Sequence, residues 1–155
     1  MCLKVRKELQ TAENDVTCYK VVKQYDFHHI PRVYSLFMDT LINNEEIAGV
    51  SPYSAAYPGY DTDEDYYIPS SKCIRNMYIH TYADMKGAQK CAEDYEKQCL
   101  TYCDYKVVIY ECFIPRGQKY YVGEDLYTGC MAYASKRIYF KDKLKEIIKL
   151  KEIII

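Results

Sequence analysis

The chain of 155 residues has no tryptophan and only four phenylalanines. It has no CxxC pair and no HxH or HExxH pattern, so the spacings that most often hold zinc are missing. Charge of one sign is missing too. Lys and Arg total 21 against 22 Asp and Glu, and a net charge of -1 gives no field to hold nucleic acid or an anionic membrane. No run approaches the roughly 18 apolar residues a membrane helix needs, and the opening MCLKVRKELQ has no apolar core of signal-peptide length. These absences set the expectation of a cytoplasmic protein without metal, cofactor, membrane or nucleic-acid partner.

What is present suits one domain over residues 1–155, with 49% hydrophobic and 28% charged residues. Eight cysteines at 2, 18, 73, 91, 99, 103, 112 and 130 read as reduced, buried small hydrophobes. Tyrosine is the outlying number. Nineteen of them exceed what a small core holds, so the surplus is expected on strands and at interfaces, where phenol rings with a polar tip bind partners.

The stretch from Tyr105 to Val122 organises the rest. Val107, Val108, Ile109, Cys112, Phe113 and Ile114 leave little polar alternation, the pattern of a central strand covered on both faces. Pro115, Arg116 and Gly117 make a turn, and Lys119 to Val122 starts a second strand. Before it, residues 2 to 9 suggest a short edge strand, Thr11 to Asp15 a polar turn, and Val16 to Tyr25 a strand rich in β-branched and aromatic residues. Asp26 to Pro31 turns the chain, with His28 and His29 read as surface histidines. Arg32 to Met38 fits a strand, or one end of a helix running through Leu41 and Ile42.

Residues 49 to 71, with three prolines and five tyrosines, read as a long loop. Asp61, Asp63, Glu64 and Asp65 begin like a calcium loop, but Tyr66 stands where glycine is required, so a solvated acidic turn is expected. Cys73 to Tyr82 reads as a strand leading into a helix capped by Thr81 and Asp84. Met85, Ala88, Ala92, Tyr95, Cys99 and Tyr102 form that helix's apolar stripe. YASKRIYF, from Tyr133 to Phe140, is the last strand, and 141–155 fits helix or strand equally, ending in an apolar Ile153, Ile154 and Ile155. The expected architecture is α+β: a single domain with a mixed or antiparallel sheet of five or six strands and one main amphipathic helix packed on it.

Several short motifs carry a resemblance: Tyr19-Lys20-Val21, Ser51-Pro52-Tyr53, His80-Thr81-Tyr82, Cys112 to Gly117 with Lys119-Tyr120-Tyr121, and Tyr133-Ala134-Ser135. With them the chain resembles small uncharacterised proteins of gut anaerobic bacteria and their phages, which implies a phage or mobile-element origin and no assigned activity. More distantly it is similar to the ADP-ribosyltransferase fold, in which His80-Thr81-Tyr82 would stand near the middle NAD-clasping motif and Lys20 at the first polar anchor. No Glu-x-Glu precedes Tyr133 to Phe140, so the carboxylate that stabilises a developing oxocarbenium charge is missing. His28-His29-Ile30 does not supply the second His-x-Thr of a two-histidine phosphoesterase.

Two functions of different class follow. One is a non-catalytic binding or accessory protein, meeting a protein partner or a second copy through tyrosines, with Tyr53, Tyr57, Tyr60, Tyr66 and Tyr67 as candidate interface residues. The other is a nucleotide-binding or ADP-ribosyl-transferring domain centred on His80, with Lys20, Thr81 and Tyr82 as ligand contacts. No catalytic residue is assigned, and whether the chain is an enzyme stays open at the level of sequence.

Overall fold

β-Branched and aromatic residues dominate this chain, and the fold spends them on strand. The computed structural model describes residues 3–27, 30–36, 40–55, 67–68, 73–74, 78–98 and 105–147, of which 58% are strand. In chain order the elements are β1 (Leu3–Val5), β2 (Gln10–Thr11), β3 (Val16–Phe27), β4 (Ile30–Ser35), β5 (Leu41–Ile42), α1 (Asn44–Ile47), β6 (Tyr53–Ser54), β7 (Tyr67–Ile68) and β8 (Cys73–Ile74). They continue as β9 (Ile79–Tyr82), α2 (Met85–Gln98), β10 (Tyr105–Ile114), β11 (Lys119–Asp125), β12 (Met131–Ser135) and β13 (Arg137–Ile147). One antiparallel sheet runs β6-β13-β10-β3-β9-β12-β11-β1-β8-β7, with β4 and β5 branching from β3 and β2 beside β11.

β10 is central as its composition requires. It pairs with β3 from Tyr105↔Tyr25 to Ile114↔Val16 on one edge and with β13 from Val107↔Ile147 to Phe113↔Tyr139 on the other. Successive side chains alternate between two hydrophobic layers. Val21, Val107 and Ile109 pack with Tyr82, Ala132, Ala134 and the α2 residues Ala88, Cys91 and Ala92. Cys18, Val22, Val108 and Cys112 pack on the opposite layer with Val33, Ile42, Tyr53, Ile138 and Phe140.

β3 is where the sheet forks. Its second edge meets β9 only through Tyr19↔Tyr82, then meets β4 from Val22↔Ser35 to Phe27↔Ile30. Between these, at Lys20 and Val21, neither branch continues the ladder.

The expected α+β sheet of five or six strands is corrected to a mostly β fold, with thirteen antiparallel strands among the described residues, several only two residues long. Two-residue strands carry no periodicity for a pattern to reveal. Neighbours also merge in sequence. Cys73 to Tyr82 contains β8 and β9, and Tyr133 to Phe140 contains parts of β12 and β13, which break at Lys136 and take different partners. β1 lies between β11 and β8 rather than at an edge, because Leu3 is fully buried. Thr81 is inside β9, and the helix start is capped by Asp84, whose Oδ1 accepts the Gly87 N–H at 2.8 Å. The chain after Phe140 resolves to strand as far as Ile147; residues 148–155, His28, His29 and the acidic residues 61–65 lie outside the described residues. The short α1 was unforeseen, although Asn43 and Glu46 form a complete capping box.

Candidate binding surface and the buried polar cluster

Lys20, His80, Thr81 and Tyr82 come together, but in the interior. All four are buried. The Lys20 Nζ donates to the His80 carbonyl at 3.0 Å, bridging the gap where the sheet forks. Burial holds the Lys20 ammonium's pKa below its ordinary 10.5, partly opposed by the thiols of Cys112, Cys91 and Cys18. Alternation along β9 sends His80 and Tyr82 to the α2 layer and Thr81 to the other, so the three do not share a face.

The carboxylate in this region is Asp125, at the end of β11, with 1% exposure. Its Oδ2 accepts the Tyr82 hydroxyl at 2.5 Å and the Thr128 hydroxyl at 3.0 Å, and its Oδ1 accepts the Tyr127 N–H at 3.2 Å. Burial pushes the Tyr82 phenol strongly up, and the neighbouring Cys91 and Asp125 add to the rise. The Cys91 thiol is itself raised to about 11, with burial as the main cause.

Cys18 and Cys112 face each other across β3 and β10. Burial pushes Cys18 up to about 12 and Cys112 well above 9.0, so both are neutral thiols with little nucleophilic character. The Thr81 hydroxyl has no well-formed hydrogen bond; it borders the Cys18 sulfur, and that proximity draws the thiol's pKa part of the way back down. As expected, Cys18, Cys91 and Cys112 act as small core hydrophobes, with Cys130 half-buried. Among the described residues no group of three His, Cys, Asp or Glu is placed to hold a metal ion.

The Asp125 network continues to the surface. Gly129, at φ +72°, donates its N–H to the Asp125 carbonyl at 2.7 Å, Cys130 N–H donates to the Thr128 hydroxyl at 3.2 Å, and Lys90 Nζ donates to the Thr128 carbonyl at 2.8 Å. These bonds fix the β11–β12 turn in one shape. That turn puts Leu126 at 56% and Tyr127 at 46% exposure, and Met131, at the start of β12 opposite Glu124, is 51% exposed. Three large apolar side chains therefore stand in water on a rigid base.

The other tyrosines whose side chains are described are buried or half-buried. Tyr53, Tyr78, Tyr82, Tyr110 and Tyr121 are buried, eight more are half-buried, and among the tyrosines whose side chains are described Tyr127 alone is exposed. Edge-to-face packing accommodates them: Tyr78 meets Tyr121 at 5.9 Å and Tyr110 meets Phe140 at 5.3 Å between ring centroids. Tyr53, a candidate interface residue, is buried against Phe140 and offers no contact surface. Tyr67 belongs to β7, and Tyr57, Tyr60 and Tyr66 lie outside the described residues.

Asp125 was not among the candidate residues read from the sequence. The signal was present: Asp125-Leu126-Tyr127-Thr128-Gly129 places a turn-capping carboxylate four residues before a glycine, the pattern of an Asp-initiated turn. Among the described residues no helix is long and apolar enough to cross a membrane. No protein-family model, curated protein or solved structure matches the chain.

Proposed function

We propose that this chain is a non-catalytic binding protein that grips a protein partner through Leu126, Tyr127 and Met131. The observation that carries this reading is the Asp125-braced turn: a buried carboxylate and its hydrogen bonds hold large apolar side chains outward, where they gain nothing for the fold. A rigid loop loses little entropy on binding, and an aromatic anchor of this kind is what interface hot spots use. The partner on this reading supplies an apolar cleft. The resemblance to phage-borne proteins supports an accessory role in a phage or mobile element. No observation favours the nucleotide-binding alternative, since Lys20, His80, Thr81 and Tyr82 pack in the core.

Photo-crosslinking tests it. With p-benzoylphenylalanine in place of Tyr127, irradiation in the producing cell is expected to give one adduct of defined mass. That adduct should be absent when the probe replaces the exposed Lys119, and weakened by Asp125→Ala, which loosens the turn. An adduct-free Tyr127 probe, or an adduct seen equally from Lys119, removes the proposal; an adduct of twice the chain mass would make the partner a second copy.

A further inference from the structure

At the opposite end of β11 from this turn, a cleft of about 560 Å³ opens between the β2–β3 turn and the start of β11, lined by Gln10, Thr11, Glu13, Asn14, Asp15, Val16 and Tyr120. We infer that it is a binding site for a neutral saccharide. Its walls are tied together from both sides. Ala12 N–H donates to the Gln118 carbonyl at 3.0 Å, Gly117 N–H to the Ala12 carbonyl at 2.8 Å, and Arg116 N–H to Asp15 Oδ1 at 2.9 Å. Tyr120 donates its hydroxyl to Gln10 Oε1 at 3.1 Å and is braced edge to face by Tyr133 at 5.6 Å. The cleft is thus shaped before any ligand arrives.

The lining states the ligand's chemistry. Glu13 and the second oxygen of Asp15 are acceptors, the Gln10 amide nitrogen is a donor, and Asn14 and Thr11 can do either. Vicinal hydroxyls both donate and accept, so a polyol satisfies such a mixed set, and the phenol ring of Tyr120 supplies an apolar wall for the C–H face of a sugar. An anion is opposed by two carboxylates, and a large apolar ligand finds only Val16 and one half-buried ring. A shallow site of this kind binds with Kd on the order of 1 mM.

An NMR titration of the 15N-labelled full chain with maltotriose, cellotriose and chitotriose, with arginine methyl ester as a cationic competitor probe, decides the matter. At least one trisaccharide is expected to give saturable shifts confined to the amides of residues 10–16 and 120. Asn14→Ala and Glu13→Ala, both at exposed positions, should weaken that binding about tenfold with an unchanged melting temperature. No saturable shift with any trisaccharide, shifts centred elsewhere, or a response to arginine methyl ester alone overturns the assignment. The turn at Leu126 and Tyr127 takes no part, so the two proposals fail separately.

Discussion

Asp125 shows what a single buried side chain can organise. A carboxylate with 1% exposure is tolerated because hydroxyl and amide donors from Tyr82, Thr128 and Tyr127 replace its water. Tyr82→Phe removes the shortest of these bonds and should lower stability by about 2 kcal/mol in urea unfolding; a loss within error would show that the bond does not matter. The buried thiols set an alkaline limit. The folded pKa values of Cys18, Cys91 and Cys112 lie above the ordinary 9.0. Their contribution is complete below pH 9.0 and is lost as pH rises from there towards about 12, because the unfolded chain releases protons that the folded chain keeps. Lys20 runs the other way: its folded value is depressed, so below 10.5 the unfolded chain holds the extra proton and stability rises with pH. Three falling contributions outweigh one rising one. Stability measured by urea unfolding should decline above pH 9, and Cys18→Ala should make the decline shallower by about 1.4 kcal/mol per pH unit. An unaltered slope would refute the assignment.

Among the elements, β13 is the exposed edge that the fold must protect. β6 covers only Arg137 and Ile138, so from Tyr139 to Ile147 its outer side has no partner among the described strands. Register shifts against β10 skip Lys141 and Leu144 as bulges, and Lys141, Asp142, Lys143, Lys145 and Glu146 are all exposed. Bulges and lysines both deter a second sheet from adding on. Two copies pairing antiparallel about Leu144 would set Lys143 against Lys145 and Asp142 against Glu146, like charge on like. Replacing Lys141, Lys143 and Lys145 with threonine should therefore produce dimers or larger species in sedimentation velocity, and a variant that stays monomeric would dismiss this role. β11 depends on a close approach instead. A Cβ at Gly123 would run into the Lys4 carbonyl and the Leu3 side chain, so Gly123→Ala should lower stability by about 3 kcal/mol as β1 is forced off. Elements of regular period were legible in the sequence. The α2 stripe through Met85, Ala88, Ala92 and Tyr95 and the double-sided apolar run of β10 announced themselves. β5 to β8 did not, because two residues have no period, and the merging of β12 with β13 hid a change of partner at Lys136. Of the candidate ligand contacts, Lys20 and His80 do lie side by side, but inside the fold, and burial is a tertiary property that their local sequence does not encode.

For the molecule as a whole, the forked sheet makes distant segments depend on each other. The β3–β10 pairing joins Val16 to Ile114 and Tyr25 to Tyr105, so its formation must close most of the chain into a loop. Refolding after a denaturant jump should take on the order of milliseconds to seconds, and a microsecond relaxation would mean the spine is not the last piece to assemble. The tyrosines take their meaning at this scale too: rings expected at a surface when counted in the sequence are, at Tyr53, Tyr78, Tyr82, Tyr110 and Tyr121, part of the two core layers. β10 is bonded to β3 along one edge and, from Val107 to Phe113, to β13 along the other. In heavy water its amides should be the last to take up deuterium, exchanging only when the entire protein opens, so the rate at that one strand reports the global unfolding free energy without any denaturant.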